Sequence, residues 1–233
     1  MNVENEAKRI HFDTIDSTQN YAKEKRLERE DLLVTATRQT GGRGTKGRLF
    51  DSSIGGVYLS KLSFYEDFPA KYAFKIMARA AVAVCKTLQA YGLRAVIKWP
   101  NDIFVNDKKI SGILIENVFS GNKIDSSVVG IGLNVYNVLP DELLPIATTM
   151  LTETGEKFSV EEVTQRLIAA LEEETTMEEY ISFMGYMGRT ATLVLGDERV
   201  HGTLLSVDDE GCLSVEIDGK IRRLTAAEVS IRF

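Results

Sequence analysis

The chain has 233 residues, 44% hydrophobic and 27% charged, with a net charge of −6. That length holds a sizeable core in one large unit plus a small one, and the acidic balance argues against a protein whose main work is coating nucleic acid or an anionic membrane. Cys85, in an apolar helical run, and Cys212, in a strand-like run, read as buried reduced thiols, which points to the cytoplasm. His11 and His201 lack ligand spacing, so neither a structural metal nor a His-based triad is expected. No signal peptide or membrane span is visible, since Arg79 breaks the apolar run around 76–85.

In chain order, an opening strand near Arg9–Phe12 leads to Asp16-Ser17-Thr18-Gln19-Asn20, where Ser17 or Thr18 is placed to cap a polar helix running to about Glu30. Leu32–Thr37 reads as a strand entering the octet Gly41-Gly42-Arg43-Gly44-Thr45-Lys46-Gly47-Arg48, and Gly56–Leu62 as the strand after it. Pro69–Tyr91 is expected to be a helix closed by Gly92. Arg94–Lys98 and Asp102–Val105 are short strands. The Asn106-Asp107-Lys108 turn then connects to a strand at Lys109–Asn117, and Ser127–Val135 adds another. Ser159, followed three residues later by Glu162, starts a second helix by a capping box. From Gly188 onward short strands alternate with Gly/Asp turns, the texture of a small antiparallel barrel or sandwich.

The octet carries the first chemistry. Four glycines let backbone N–H groups approach an anion, and arginine offers a planar fork of donors matched to phosphate oxygens, although a mobile basic surface loop would look the same. It is neither a Walker A loop nor a dinucleotide fingerprint. Residues 38–48 hold four cations and no acid, whereas 153–180 hold nine glutamates, a contrast that fits a small anion. Lys98-Trp99-Pro100-Asn101-Asp102 joins a cation, an amide and a carboxylate, reading either as a ligand site that includes a Mg²⁺ ligand or as a tight turn around a buried Trp. In Lys108–Glu116 a period of two puts Lys109, Ser111 and Ile113 on one face, and Gly112 thins the strand where a ligand could lie. Asn134 ends Gly130-Ile131-Gly132-Leu133-Asn134, where an amide could bond an adenine edge.

Taken in order, these motifs resemble the biotin–protein ligases, in the short form without an N-terminal DNA-binding domain. The matching stretches are a D-S-T-x-N-like entry at Asp16–Gln19, G-R-G-x-x-G-R at Gly42–Arg48, K-W-P-N-D at Lys98–Asp102, K-x-x-G-I-L-x-E at Lys109–Glu116, G-x-G-x-N at Gly130–Asn134, and the closing Ser230-Ile231-Arg232. The resemblance implies an α+β fold: a mixed sheet flanked by helices, of the class II aminoacyl-tRNA-synthetase-like kind, over 1–186, with a small SH3-like β-barrel over 187–233. It implies biotin as substrate, ATP and Mg²⁺ as co-substrates, biotinyl-5′-AMP as intermediate and a lysine of a biotin carboxyl carrier protein as acceptor. By similarity Lys109, Arg43 and Arg48 are catalytic. Ser17, Thr18, Gln19, Gln39, Arg43, Gly44, Thr45, Lys109 and Gly112 bind biotin. Arg43, Arg48, Lys98, Trp99, Asn101 and Asn134 bind ATP, and Asp102 is the candidate Mg²⁺ ligand. The octet is expected to be disordered when empty and to close over the adenylate.

Two positions depart from the family pattern: Gln19 stands where Asn is frequent, and Thr45 where several members carry Arg. With the catalytic pattern starting within about ten residues of Met1, neither a DNA-binding module nor repressor activity is expected. Relatives can pair through sheet edges, which leaves a homodimer open. The alternatives are a lipoate or octanoate ligase or transferase of the same fold, and a non-catalytic biotin or nucleotide sensor, for which Lys109 would be unnecessary.

Overall fold

The computed structural model describes residues 7–232; residues 1–6 and Phe233, at the two ends of the expected units, lie outside them. The described residues form twelve strands and five α-helices. β1 (Lys8–Ile15), α1 (Thr18–Glu24), β2 (Leu32–Gln39), β3 (Gly56–Pro69), α2 (Phe74–Gln89), β4 (Val96–Lys98), β5 (Asp102–Val105), β6 (Lys108–Ser120) and β7 (Lys123–Asn134) come first. They are followed by α3 (Met150–Thr154), α4 (Val160–Glu172), α5 (Met177–Ser182), β8 (Thr190–Leu195), β9 (Glu198–Val207), β10 (Leu213–Ile217), β11 (Lys220–Leu224) and β12 (Val229–Arg232).

β1–β7 form one seven-stranded mixed sheet in the order β1-β2-β3-β7-β6-β5-β4, with β1 and β2 parallel and the other pairs antiparallel. Strand alternation sorts the faces. Leu33, Val57, Leu59, Val129, Ile131 and Leu133 join the main core with α2 and α4, whereas Leu32, Val34, Leu62 and Val128 join a smaller cluster with Ala22 of α1. Gly130 and Gly132 share the face of Val128, so the α1 side of β7 is a trough with no side chains over two of its positions.

Local signals explain the helix starts. Ser17 caps α1, its Oγ accepting the Asn20 N–H, and Ser159 caps α4 through the Glu162 N–H. The polar helix is shorter than expected, giving way after Glu24 to a 3₁₀ turn over Lys25–Glu28. The helix expected from Pro69 begins at Phe74, because β3 runs on to Pro69 in pairing with β7. The Asn106-Asp107 turn has positive φ at both residues (48° and 62°), as a tight hairpin between β5 and β6 requires.

The C-terminal strands form an antiparallel sheet in the order β11-β10-β9-β8-β12. The expected barrel closure is not made: β11 and β12 end the sheet instead of pairing with each other. β11, Lys220-Ile221-Arg222-Arg223-Leu224, is exposed except at Leu224, the charged edge that discourages further strand pairing. The two sheets share a continuous core, and the indole Nε1 of buried Trp99 donates to the Gly211 carbonyl at 3.2 Å. Among the described residues, no helix is long and apolar enough to cross a membrane.

Candidate active site

The trough on β6 and β7 opens a narrow cavity of about 40 Å³. All nine residues expected to hold biotin line it: Ser17, Thr18, Gln19, Gln39, Arg43, Gly44, Thr45, Lys109 and Gly112. Its inner end is a connected hydrogen-bond network. The Thr18 N–H and hydroxyl lie 2.8 and 3.0 Å from Gln39 Oε1, and Gln39 Nε2 donates to Ser52 Oγ at 2.8 Å, which donates to the Phe50 carbonyl at 2.9 Å. Ser60 Oγ lies 2.9 Å from Thr18 Oγ1 and 3.2 Å from Gln19 Oε1. The two hydroxyls thus carry two hydrogens for three contacts: Thr18 to Gln39, Thr18 to Ser60 and Ser60 to Gln19. One of the three contacts therefore has no hydrogen of its own; Gln39 Oε1 keeps the Thr18 N–H in any case, and a ligand N–H is a donor that this acceptor-rich end could take.

The octet folds back on itself. Arg43 and Leu49 form an antiparallel bridge, Gly44 N–H donates to the Arg48 carbonyl at 2.8 Å, and Phe50 N–H to the Gly42 carbonyl at 3.0 Å. Gly42 is required by contact, because a Cβ there would stand 2.3 Å from Ser52 Oγ. Arg43 and Arg48 are exposed, and the Arg48 guanidinium reaches Thr45 Oγ1 at 3.3 Å.

Lys109 differs from its sequence expectation. The β5–β6 ladder slips between Ile103 and Phe104, so that Ser111 and Lys109 face successive residues and Ile110 is unmatched. This bulge breaks the alternation that would have grouped Lys109 with Ser111 and Ile113. Lys109 instead reaches the Gly112 side, its Nζ 3.1 Å from where a Gly112 Cβ would stand, and donates to Asp102 Oδ1 at 2.5 Å. Its backbone is clamped on both polar groups: Lys109 N–H to the Ile146 carbonyl and Thr148 N–H to the Lys109 carbonyl, both at 2.9 Å.

Beyond Lys109 lies a larger cavity of about 490 Å³, which shares Gly44, Thr45, Phe50 and Lys109 with the first. Arg48, Lys98 and Asn134 line it, with Phe104, Pro145 and Ile146 as apolar walls; the Lys98 ammonium sits 5.1 Å from the Phe104 ring centroid. The other expected ATP residues lie elsewhere. Arg43 lines the first cavity, and Asn101 lines the first and a third cleft, its Nδ2 donating to the Ile113 carbonyl at 2.8 Å. Trp99 lines that third cleft, which runs between the Trp99 loop and Ala226, Ala227, Val229 and Ile231 of the C-terminal sheet. The Asn134 amide is engaged within the protein, donating to the Thr148 carbonyl at 3.0 Å and accepting from Asn137 at 3.1 Å. Among the described residues no group of three or more His, Cys, Asp or Glu could hold a metal ion.

Ser52 and Ser60 of the inner network escaped the sequence reading, and so did Phe50 and the role of Glu116. The Phe50 ring lies across the trough, with its Cε1 2.4 Å from a Cβ built on Gly132; an aromatic two residues after the last arginine of the octet was the available signal. Glu116, at the end of the Lys109 motif, backs the first cavity through Gln19.

Residues 11–134, more than half of the chain, match the Biotin/lipoate A/B protein ligase family. The chain is 34% identical to the bifunctional ligase/repressor of Bacillus subtilis (strain 168), covering 95% of this chain and 73% of that protein. It is 30% identical to the biotin–[acetyl-CoA-carboxylase] ligase of Paracoccus denitrificans, over 84% and 88% of the two. The fold superposes on the biotin protein ligase of Aquifex aeolicus in complex with biotin and ATP with a TM-score of 0.76 and 27% identity, covering 97% of this chain and 98% of that one. A family match over this span, together with relatives this similar, means that the chain belongs to the biotin/lipoate A/B protein ligase family, among its biotin protein ligases.

Proposed function

We propose that the chain activates biotin with ATP to biotinyl-5′-AMP and pyrophosphate, then passes the biotinyl group to a lysine of a biotin carboxyl carrier protein. One observation carries this: Lys109 stands at the junction of two cavities, one narrow and acceptor-rich at its inner end, one wide with cations and apolar walls. A urea ring offers N–H donors to an inner end rich in acceptor oxygens, whereas a lipoyl or octanoyl chain offers none and would lay an apolar surface against those oxygens. The valeryl tail would follow the Gly112 and Gly132 trough, with Phe50 moving aside, and bring the carboxylate to Lys109.

In the first step a biotin carboxylate oxygen attacks the α-phosphorus as the bond to pyrophosphate breaks. Negative charge accumulates on the phosphoryl oxygens, and the Lys109, Arg43 and Arg48 cations oppose it. Lys98 would meet the phosphates from the larger cavity, and the apolar walls would take adenine, with Asn134 bracing that wall through Thr148. Mg²⁺ would travel mainly on the phosphates, with Asp102 the carboxylate at hand to touch it; when bound it neutralises phosphate charge. In the second step the acceptor amine attacks the acyl carbon, AMP leaves, and Asp102 can receive the amine's proton. We assign this chemistry to 1–186 and a bracing role to 187–233 through the Trp99–Gly211 contact.

Pyrophosphate release from ATP tests the assignment. Biotin should drive it, lipoate should not, and Lys109→Ala should cut it by about 10²–10³-fold; equal turnover with lipoate would overturn the biotin assignment.

A further inference from the structure

Gln19 is 4% exposed, and the direction of its amide is dictated by its neighbours. Nε2 donates to Glu116 Oε2 at 2.9 Å and to the Val128 carbonyl at 3.2 Å, two groups that only accept. Turning the amide over would place a carbonyl oxygen against a carboxylate and a second carbonyl. Oε1 must therefore face the other way, toward Ser60 Oγ and the first cavity. Gly130 leaves the room for it, since a Cβ there would lie 2.5 Å from Gln19 Oε1.

Glu116 is itself held. Lys23, one helical turn after Gln19 on the same face of α1, donates to Glu116 Oε1 at 2.8 Å, and Arg26 Nη2 donates to the Glu116 carbonyl at 3.0 Å. Burial works against the charged carboxylate, but the hydrogen bonds from Lys23 and Gln19 together with the Lys23 and Arg26 charges hold the carboxyl below its ordinary range.

We propose that Glu116, which touches no substrate, is a positioning residue for specificity: it locks the Gln19 amide so that the cavity presents a carbonyl oxygen to a ring N–H of a cyclic urea. The proposal rests on placing the biotin ring in the first cavity. Glu116 thereby keeps the Gln19 carbonyl oxygen, an acceptor, turned to the cavity, whereas a freely turning Gln19 would offer donor and acceptor alike.

The test compares Glu116→Ala, Glu116→Gln, Lys23→Met and Gln19→Leu in biotin-dependent pyrophosphate exchange. Glu116→Ala should raise KM for biotin about tenfold, the cost of a mis-set buried hydrogen bond, with kcat and KM for ATP within about twofold. Glu116→Gln, whose Oε1 still accepts from Gln19, should recover most of the loss. Lys23→Met breaks the ion pair but not the amide contact, and should leave KM for biotin within about twofold, because the half-buried pair is partly screened by solvent and the Gln19 bond to Glu116 remains. Adding Glu116→Ala to Gln19→Leu should cost nothing further. Equal defects in Lys23→Met and Glu116→Ala, or additive defects in the double variant, would reduce Glu116 to a fold-stabilising ion pair and overturn the proposal. A second measurement needs no ligand: the Gln19 side-chain NH₂ signals in ¹H–¹⁵N spectra should exchange slowly in the wild type and in Lys23→Met, and quickly in Glu116→Ala. No difference there overturns the coupling, whereas the expected difference in a protein without biotin-dependent turnover overturns the biotin assignment instead.

Discussion

The two cavities that meet at Lys109 are made of different materials. The inner one is walled by strands and the start of α1, and its polar groups are tied to one another by short, directional hydrogen bonds among Thr18, Gln39, Ser52, Ser60 and Gln19. The outer one is walled largely by loops, with exposed cations such as Arg48 and exposed apolar side chains such as Leu49 and Ile146. Fixed dipoles discriminate by geometry, because one misplaced donor leaves a buried partner unpaired; mobile charges attract any polyphosphate and discriminate little. Choice of acid should therefore belong to the inner cavity, and charge stabilisation to the outer.

The largest expected effect lies where the two share a residue. Lys109→Ala should lower kcat/KM for both biotin and ATP by about 10²–10³-fold, the usual loss on removing a preorganised charge stabiliser. A loss confined to one substrate in steady-state pyrophosphate release would put Lys109 in one cavity only. Next comes Thr18→Val, which deletes a hydroxyl from the inner network while the Thr18 N–H still serves Gln39. KM for biotin should rise about tenfold with KM for ATP unchanged. Parallel rises in both would erase the division between the cavities.

Much of this was written locally in the chain. Ser159 with Glu162, the Asn106-Asp107 turn and the strand at Leu32 announce themselves within a few residues, and the nine residues expected to hold biotin do converge on one cavity. What was not legible depends on partners far away. Gln19 and Glu116 are 97 positions apart, and nothing near either names the other. The bulge that swings Lys109 toward Gly112 is set by how β5 meets β6, so strict alternation misplaced it. Helices of five and six residues, α3 and α5, are too short to show a period, and only end signals marked them: the caps at Thr149 and Thr176, and Gly155 closing α3. The barrel closure failed for a similar reason, since whether β11 pairs with β12 depends on sheet geometry and not on turn spacing.

A smaller effect probes the inner cavity by pH. The carboxyl of Glu116, faced by Lys23, Arg26 and Gln19, titrates below its ordinary 4.5. A folded-state value depressed in this way means that the charged form contributes above pH 4.5, and that its contribution fades as pH falls through the lower, folded value. KM for biotin should thus show no Glu116-dependent change from pH 8 to about 5 and climb about threefold below the ordinary carboxylate range, a limb absent in Glu116→Gln. Circular dichroism at each pH separates this from unfolding. The same limb in Glu116→Gln would assign it to another group.

The smallest effect belongs to the outer region, at Thr45. Its hydroxyl lies 3.3 Å from the Arg48 guanidinium, so this position already contributes by steadying a neighbouring cation without carrying charge itself. Thr45→Arg would add a charge beside the adenylate but remove that contact and set two guanidiniums near each other. In an exposed loop the added attraction is screened, and exposed ion pairs contribute roughly 0–1 kcal/mol. Release of biotinyl-5′-AMP, followed by rapid dilution into excess biotin and ATP, should therefore slow by no more than about fivefold, and the gain should shrink as salt rises. A slowing of a hundredfold that ignored salt would mean that the octet holds its ligand as the inner cavity does, by fixed and desolvated bonds, and the contrast between the two regions would fail at the loop that joins them.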